Sequence, residues 1–95
     1  MTKQEFIEEE FPKLAFFTDR ILKVHGGHHP ELAEVRELFV AMKDKTRLNP
    51  EADVTNELTR LAQVTNNYEV PEDACEGYRT TYQLLQNFQE LSVAN

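Results

Sequence analysis

The sequence predicts an all-α fold, an up-down-up-down four-helix bundle, on three observations. Pro-Glu pairs recur at Pro30-Glu31, Pro50-Glu51 and Pro71-Glu72 and divide the chain into four pieces. Proline suits a helix start, where its missing N–H has no partner and its φ is already helical, and the glutamate faces the positive end of the helix dipole. The pieces between the pairs carry apolar residues at helical spacing, and the connections are short enough to make neighbours antiparallel.

The first helix is expected over about Lys3 to His25. Thr2 and Glu5 have capping-box spacing. Ile7, Phe11, Leu14, Thr18, Ile21 and His25 form one stripe, widened by Phe17, Leu22 and Val24. Pro12 should kink this helix or mark a restart after Phe11. Gly26-Gly27 should end it, because glycine tolerates a left-handed cap. The second helix is expected from Pro30 to about Arg47, with Leu32, Val35, Leu38, Phe39 and Met42 inward. Asn49 reads as the N-cap of the third helix, with Pro50 at its first position. Val54, Leu58, Leu61, Thr65 and Tyr68 make its stripe, and Asn66-Asn67 loosens its end. The fourth helix is expected from Pro71 to about Ser92, with Tyr78, Leu85 and Phe88 inward and Leu84 and Leu91 flanking. Of the aromatic residues, Phe6, Phe11, Phe16, Phe17, Phe39, Tyr78, Tyr82 and Phe88 read as core.

At 95 residues the chain reads as one domain spanning 1–95. A formal net charge of −7 with scattered basic residues argues against nucleic acid, which selects clustered Lys and Arg. Glu8-Glu9-Glu10 reads as a solvated helix face. The single cysteine cannot staple the fold, so this is not a secreted disulfide framework. No apolar run suits a signal peptide or a membrane span, which makes the cytoplasm the expected location.

The bundle topology collects His25, His28, His29, Tyr68 and Cys75 at one pole. Gln4, Asn49, Ala52 and Asn95 fall at the other. His25, His28, His29 and Cys75 are the candidate metal set, because thiolate plus imidazole suits zinc, copper or iron. The bland reading is a helix end whose His25 meets the dipole, followed by a His-rich turn. Cys75 reads as a buried structural thiol, because Glu72, Asp73 and Glu76 oppose thiolate formation. Cys75 and His25 lack an orienting Asp or Asn, so no nucleophilic triad is expected. A di-iron carboxylate site needs Glu-x-x-His pairs on facing helices, and the chain has neither that spacing nor a histidine after His29. Nor does it have a glycine-rich phosphate loop.

Two stretches are specific. One runs from Phe11 to Phe39 and contains VHGGHHPELAEVRELF. The other runs from Leu58 to Leu91 and contains TNNYEVPEDACEGYRTTYQLLQNFQEL. Together they cover about two-thirds of the chain and resemble the hemerythrin-like domain of the iron–sulfur cluster repair family, the RIC or ScdA-like di-iron proteins. The resemblance implies a four-helix bundle, a non-haem di-iron centre with His and Glu ligands, and a link to repair of clusters damaged by nitric oxide or peroxide. It places those ligands near Gln4, near Asn49 to Asp53, near Ala52, and at or beyond Asn95. None of these positions offers an imidazole, and residues between the second and third helices that carry two of the ligands look omitted.

Two readings follow. In the first, the chain is a short, metal-free, non-enzymatic relative without cofactor. It acts as a binding or accessory module in iron–sulfur cluster or nitrosative and oxidative stress response, with a protein partner such as an iron–sulfur protein, and with a homodimer as a further option. In the second, it handles iron or a cluster through His25, His28, His29 and Cys75, or through ligands shared across an oligomer. A plain interaction module with no iron link is a third reading. The short third helix is expected to leave the core thinly covered near Gln4 and Asn49, which would favour a dimer.

Overall fold

Thr2 opens the first helix with both bonds of a capping box. Its hydroxyl accepts from the Glu5 N–H at 3.1 Å, and the Glu5 carboxylate accepts from the Thr2 N–H at 3.0 Å. The computed structural model describes residues 1–93. These residues form four helices, α1 (Lys3–His25), α2 (Glu31–Leu48), α3 (Thr55–Val64) and α4 (Glu76–Val93). The all-α four-helix bundle is therefore as the sequence predicts. Helix α1 packs against α2 and α4, and α2 packs against α3. No described helix is long and apolar enough to cross a membrane.

Helix α1 runs unbroken through Pro12, so the expected restart after Phe11 does not occur. Proline removes the N–H that would bond the Glu8 carbonyl. Both Glu8 and Pro12 are exposed, and water can take that carbonyl. The buried stripe is Phe6, Phe11, Leu14, Thr18 and Ile21. Val24 and Phe16 lie outside it at 65% and 60% exposure, against the expectation that both face inward. Phe17 is half-buried. In α2 the inward set is Leu32, Val35, Phe39, Met42 and Thr46, with Leu38 half-buried. Arg36 of α2 pins α1 by donating to the Ala15 carbonyl at 2.7 Å and the Thr18 hydroxyl at 2.8 Å.

Two of the three Pro-Glu pairs open turns instead of helices. The Asn49 side chain accepts from the Glu51 N–H at 3.0 Å, and its carbonyl accepts from the Ala52 N–H at 2.9 Å. Asn followed by Pro suits the first two positions of a β-turn as well as a helix start, and here the turn wins. Helix α3 consequently begins at Thr55, whose N–H is held by the Asp53 carboxylate at 2.9 Å. Pro71 behaves similarly, its carbonyl accepting from the Ala74 N–H at 3.1 Å. Helix α4 then starts at Glu76.

The helix ends also exchange roles. Gly26 caps α1 with φ −60°, in the right-handed region. Space explains its glycine: a Cβ there would sit 2.4 Å from the Leu22 carbonyl oxygen. The left-handed turn occurs after α3, where Asn66, Asn67 and Tyr68 have φ of 52°, 59° and 63°. Tyr68 therefore lies beyond α3. Its N–H bonds the Thr65 hydroxyl at 2.9 Å, and its phenol donates to Gln89 of α4 at 2.8 Å.

Leu61 has no exposed surface. Leu61→Ala is expected to cost about 2–5 kcal/mol in urea denaturation. Asn67 is exposed in the left-handed turn. Asn67→Ala is expected to cost about 1 kcal/mol, while Asn67→Gly stays within about 0.5 kcal/mol of wild type.

Candidate functional site

The turn after α1 folds tightly because the His25 carbonyl accepts two N–H groups, those of His28 at 3.1 Å and His29 at 2.9 Å. That turn sets the His25 and His29 rings on Tyr78 of α4. Their centroids lie 5.3 Å and 5.6 Å from its ring, both edge-on. Tyr78 is fully buried and forms the floor of this pole.

His25 Nε2 lies 3.3 Å from Cys75 Sγ. The shared pole expected from topology therefore brings this pair into contact. Cys75 is exposed, which corrects its reading as a buried thiol. It immediately precedes α4, and its carbonyl accepts from the Arg79 N–H at 3.1 Å, so its side chain leaves at the rim of the bundle. Imidazole against thiol is the contact a base makes with a nucleophile. Among the described residues the His25 ring makes no further side-chain hydrogen bond.

His29 makes different contacts. Its Nε2 lies 3.1 Å from each carboxylate oxygen of Asp73, and its Nδ1 lies 3.4 Å from Glu31 Oε1. A doubly protonated ring donates from both nitrogens. The hydrogen bond to Asp73 accordingly raises the His29 pKa, and His29 in turn lowers that of Asp73. His28 is exposed and makes no side-chain hydrogen bond among the described residues. The candidate metal set is thus divided: His25 meets Cys75, His29 meets carboxylates, and His28 faces solvent. Among the described residues, no three His, Cys, Asp or Glu side chains form a group that could hold a metal ion. Glu31, Asp73 and Tyr78 were not part of the set read from the sequence. Asp73 reaches His29 across 44 residues, a separation that no local spacing reveals.

The opposite pole contains a cleft of about 230 Å³ whose lining includes Lys3, Glu51, Ala52, Asp53, Thr55 and Ser92. The Lys3 side chain is only 11% exposed, and its ammonium lies 3.6 Å from Glu51 Oε2. Asp53 is occupied by the Thr55 N–H. Gln4 is exposed and bonds Glu8 at 3.3 Å. Asn95 lies outside the described residues. These side chains do not fit the His and Glu donor set implied by the family resemblance, since all three histidines sit at the other pole.

Comparison with known proteins finds similarity to iron–sulfur cluster repair proteins named ScdA. Those of two Staphylococcus epidermidis strains are each 25% identical over 118 residues, covering 90% of this chain and 53% of their own length. That of Staphylococcus haemolyticus is 26% identical over 94 residues, covering 93% of this chain and 42% of its own. The relationship is distant. This chain spans about half the length of the relatives it matches. No family model matches the chain, and no solved structure matches it either.

The His29–Asp73 pair makes stability depend on pH. A raised imidazole pKa contributes stability below 6.5 that is lost as pH rises through the folded-state value. A lowered carboxyl pKa contributes stability above 3.8 that is lost as pH falls. The pair therefore acts fully between those limits. His29→Gln is expected to lower the urea midpoint at about pH 5.5, and the difference from wild type is expected to shrink by about pH 9.

Proposed function

We propose that this chain is a metal-free, non-catalytic relative of the iron–sulfur cluster repair proteins. It acts in the cytoplasm as a binding or accessory module in iron–sulfur cluster or nitrosative and oxidative stress response. The observation that carries this reading is the cleft at the Lys3 pole. The mostly buried Lys3 side chain brings a positive charge to the pole where the family resemblance implies metal ligands, and like charges repel. The alignments with the two Staphylococcus epidermidis relatives run over 118 positions and so leave gaps in this chain, whereas that with the Staphylococcus haemolyticus relative runs over 94.

The partner in this reading is a protein, an iron–sulfur protein among the candidates, and not nucleic acid. A net charge of −7 favours a partner with a basic face. Leu48, 91% exposed beside Asn49, offers apolar area for a second copy of the chain at the same pole.

One observation favours a second reading, in which the chain handles iron or a cluster. The His25–Cys75 contact at 3.3 Å already pairs a soft donor with an imidazole. A second copy could supply the remaining ligands.

Elemental analysis of untagged protein purified from its native source separates the two. Iron well below one atom per chain is expected. One iron or more per chain would overturn the metal-free reading. Its loss in a His25→Ala/Cys75→Ala double variant would assign the iron to the histidine–cysteine pole.

A further inference from the structure

Next to the histidine–cysteine pole, a cavity of about 260 Å³ lies between the start of α2, the left-handed turn after α3 and the first turns of α4. Its polar lining is Glu31, Thr65, Asn66, Glu69, Tyr78 and Tyr82. Tyr78 and Tyr82 are 0% and 2% exposed. Their hydroxyl oxygens lie 3.5 Å apart, and among the described residues neither hydroxyl has another hydrogen-bond partner. Two phenols carry two protons, and only one proton can lie between the oxygens. Whichever tyrosine donates, the other's O–H has no acceptor on the described chain. Both side chains line the cavity, and a buried donor left without an acceptor on the chain calls for a partner from outside it. Burial raises both phenol pKa values, so each keeps its proton at neutral pH.

The rest of the lining is rich in acceptors. Glu31 commits Oε1 to His29, leaving Oε2. Glu69 commits Oε2 to the Asn66 amide, leaving Oε1. The Thr65 hydroxyl is used twice, donating to the Leu61 carbonyl at 2.7 Å and accepting from the Tyr68 N–H at 2.9 Å. No Lys or Arg lines the cavity. A complementary ligand therefore needs several donors and positive charge for the carboxylates, together with one acceptor for the phenol.

We propose that this cavity binds a small amino alcohol, a protonated amine bearing a nearby hydroxyl. The ammonium donates to Glu31 and Glu69, and the ligand hydroxyl accepts the unpaired tyrosine proton. The cavity suits a molecule of a few heavy atoms. The proposal is independent of any relationship to cluster repair.

The test is an amide-resolved NMR titration of the full chain with ethanolamine, n-propylamine and 1-propanol at neutral pH. Ethanolamine is expected to shift the Glu31, Asn66 and Glu69 signals saturably. Propylamine, which lacks the acceptor oxygen, is expected to bind about threefold to tenfold more weakly. Propanol, which lacks the charge, should also bind more weakly. Tyr78→Phe/Tyr82→Phe should erase the preference for ethanolamine over propylamine, and Glu31→Gln should weaken both amines. If the double phenylalanine variant does not fold, Glu31→Gln and the ligand comparison decide. Lack of saturation by about 0.1 M, equal binding of ethanolamine and propylamine to wild type, or unchanged binding in Glu31→Gln would each overturn the proposal. An amino alcohol can arrive free or as a phospholipid headgroup. Co-sedimentation with phosphatidylethanolamine vesicles, set against the titration with free ethanolamine, tells these sources apart.

Discussion

Phe11 sits where three helices meet. Its ring centroid lies 5.0 Å from Phe88 of α4, 5.1 Å from Phe39 of α2 and 6.2 Å from Phe6 of α1 itself. Phe6 and Phe88 close the cluster at 5.5 Å. Edge-to-face packing of this kind is directional as well as hydrophobic, so it sets the rotation of each helix about its axis. It also explains why α1 must stay continuous through Pro12. Leu14, Thr18 and Ile21 reach the core in register with Phe11 only if no break intervenes. Pro12 is tolerated because it lies one residue along, on the exposed side.

From that node the bundle is built outward unevenly. Helices α1, α2 and α4 form a trio, while α3, at 10 residues, packs against α2. The connection from α3 back to α4 rests on Tyr68. Its ring lies 6.3 Å from that of Tyr82, and its phenol donates to Gln89. Burial raises the pKa of this phenol to about 12, which keeps it a donor. Three successive left-handed residues place it there. Such backbone is unfavourable for a residue with a bulky side chain. The four N–H groups of residues 66–69 all find acceptors, two in the last turn of α3 and two on its cap residue Thr65, and this offsets the cost. The turn that buries Tyr68 also holds Glu69 at the rim of the tyrosine cavity.

Much of this could be read from the chain. The capping box at Thr2, the extent of α1 and the inward set Leu32, Val35, Phe39 and Met42 rest on local spacing, and local spacing survives folding. The starts of α3 and α4 could not be read the same way, because Asn-Pro and Pro-Glu fit both a turn and a helix start. The choice is made by hydrogen bonds within each turn, such as those that the Glu51 N–H donates to the Asn49 side-chain oxygen and the Ala74 N–H donates to the Pro71 carbonyl. Phe16 looked like core because aromatic residues at helical spacing usually are. Its exposure follows from its place on α1, two residues from both Leu14 and Thr18 and so on the side of the helix away from the buried stripe. At the candidate site, the meeting of His25 and Cys75 followed from antiparallel topology. The capture of His29 by Asp73, and the exposure of His28, depend on ring orientations that no spacing encodes.

That ring orientation has a chemical consequence for the histidine–cysteine pole. A metal takes an imidazole by its neutral form, so binding must displace a proton. His25 touches the thiol with one nitrogen and packs its edge against Tyr78, which leaves it close to a soft donor. His29 is held with both nitrogens on carboxylates, on opposite sides of the ring. Those two carboxylates stabilise the charged imidazolium that a metal would have to discharge. Turning His29 toward Cys75 would break both ion contacts and leave Asp73 and Glu31 without their shared counter-ion. Sequence proximity makes the three histidines look like one ligand cluster. The fold assigns them to three separate tasks: contact with the thiol, neutralisation of two acids, and exposure to solvent.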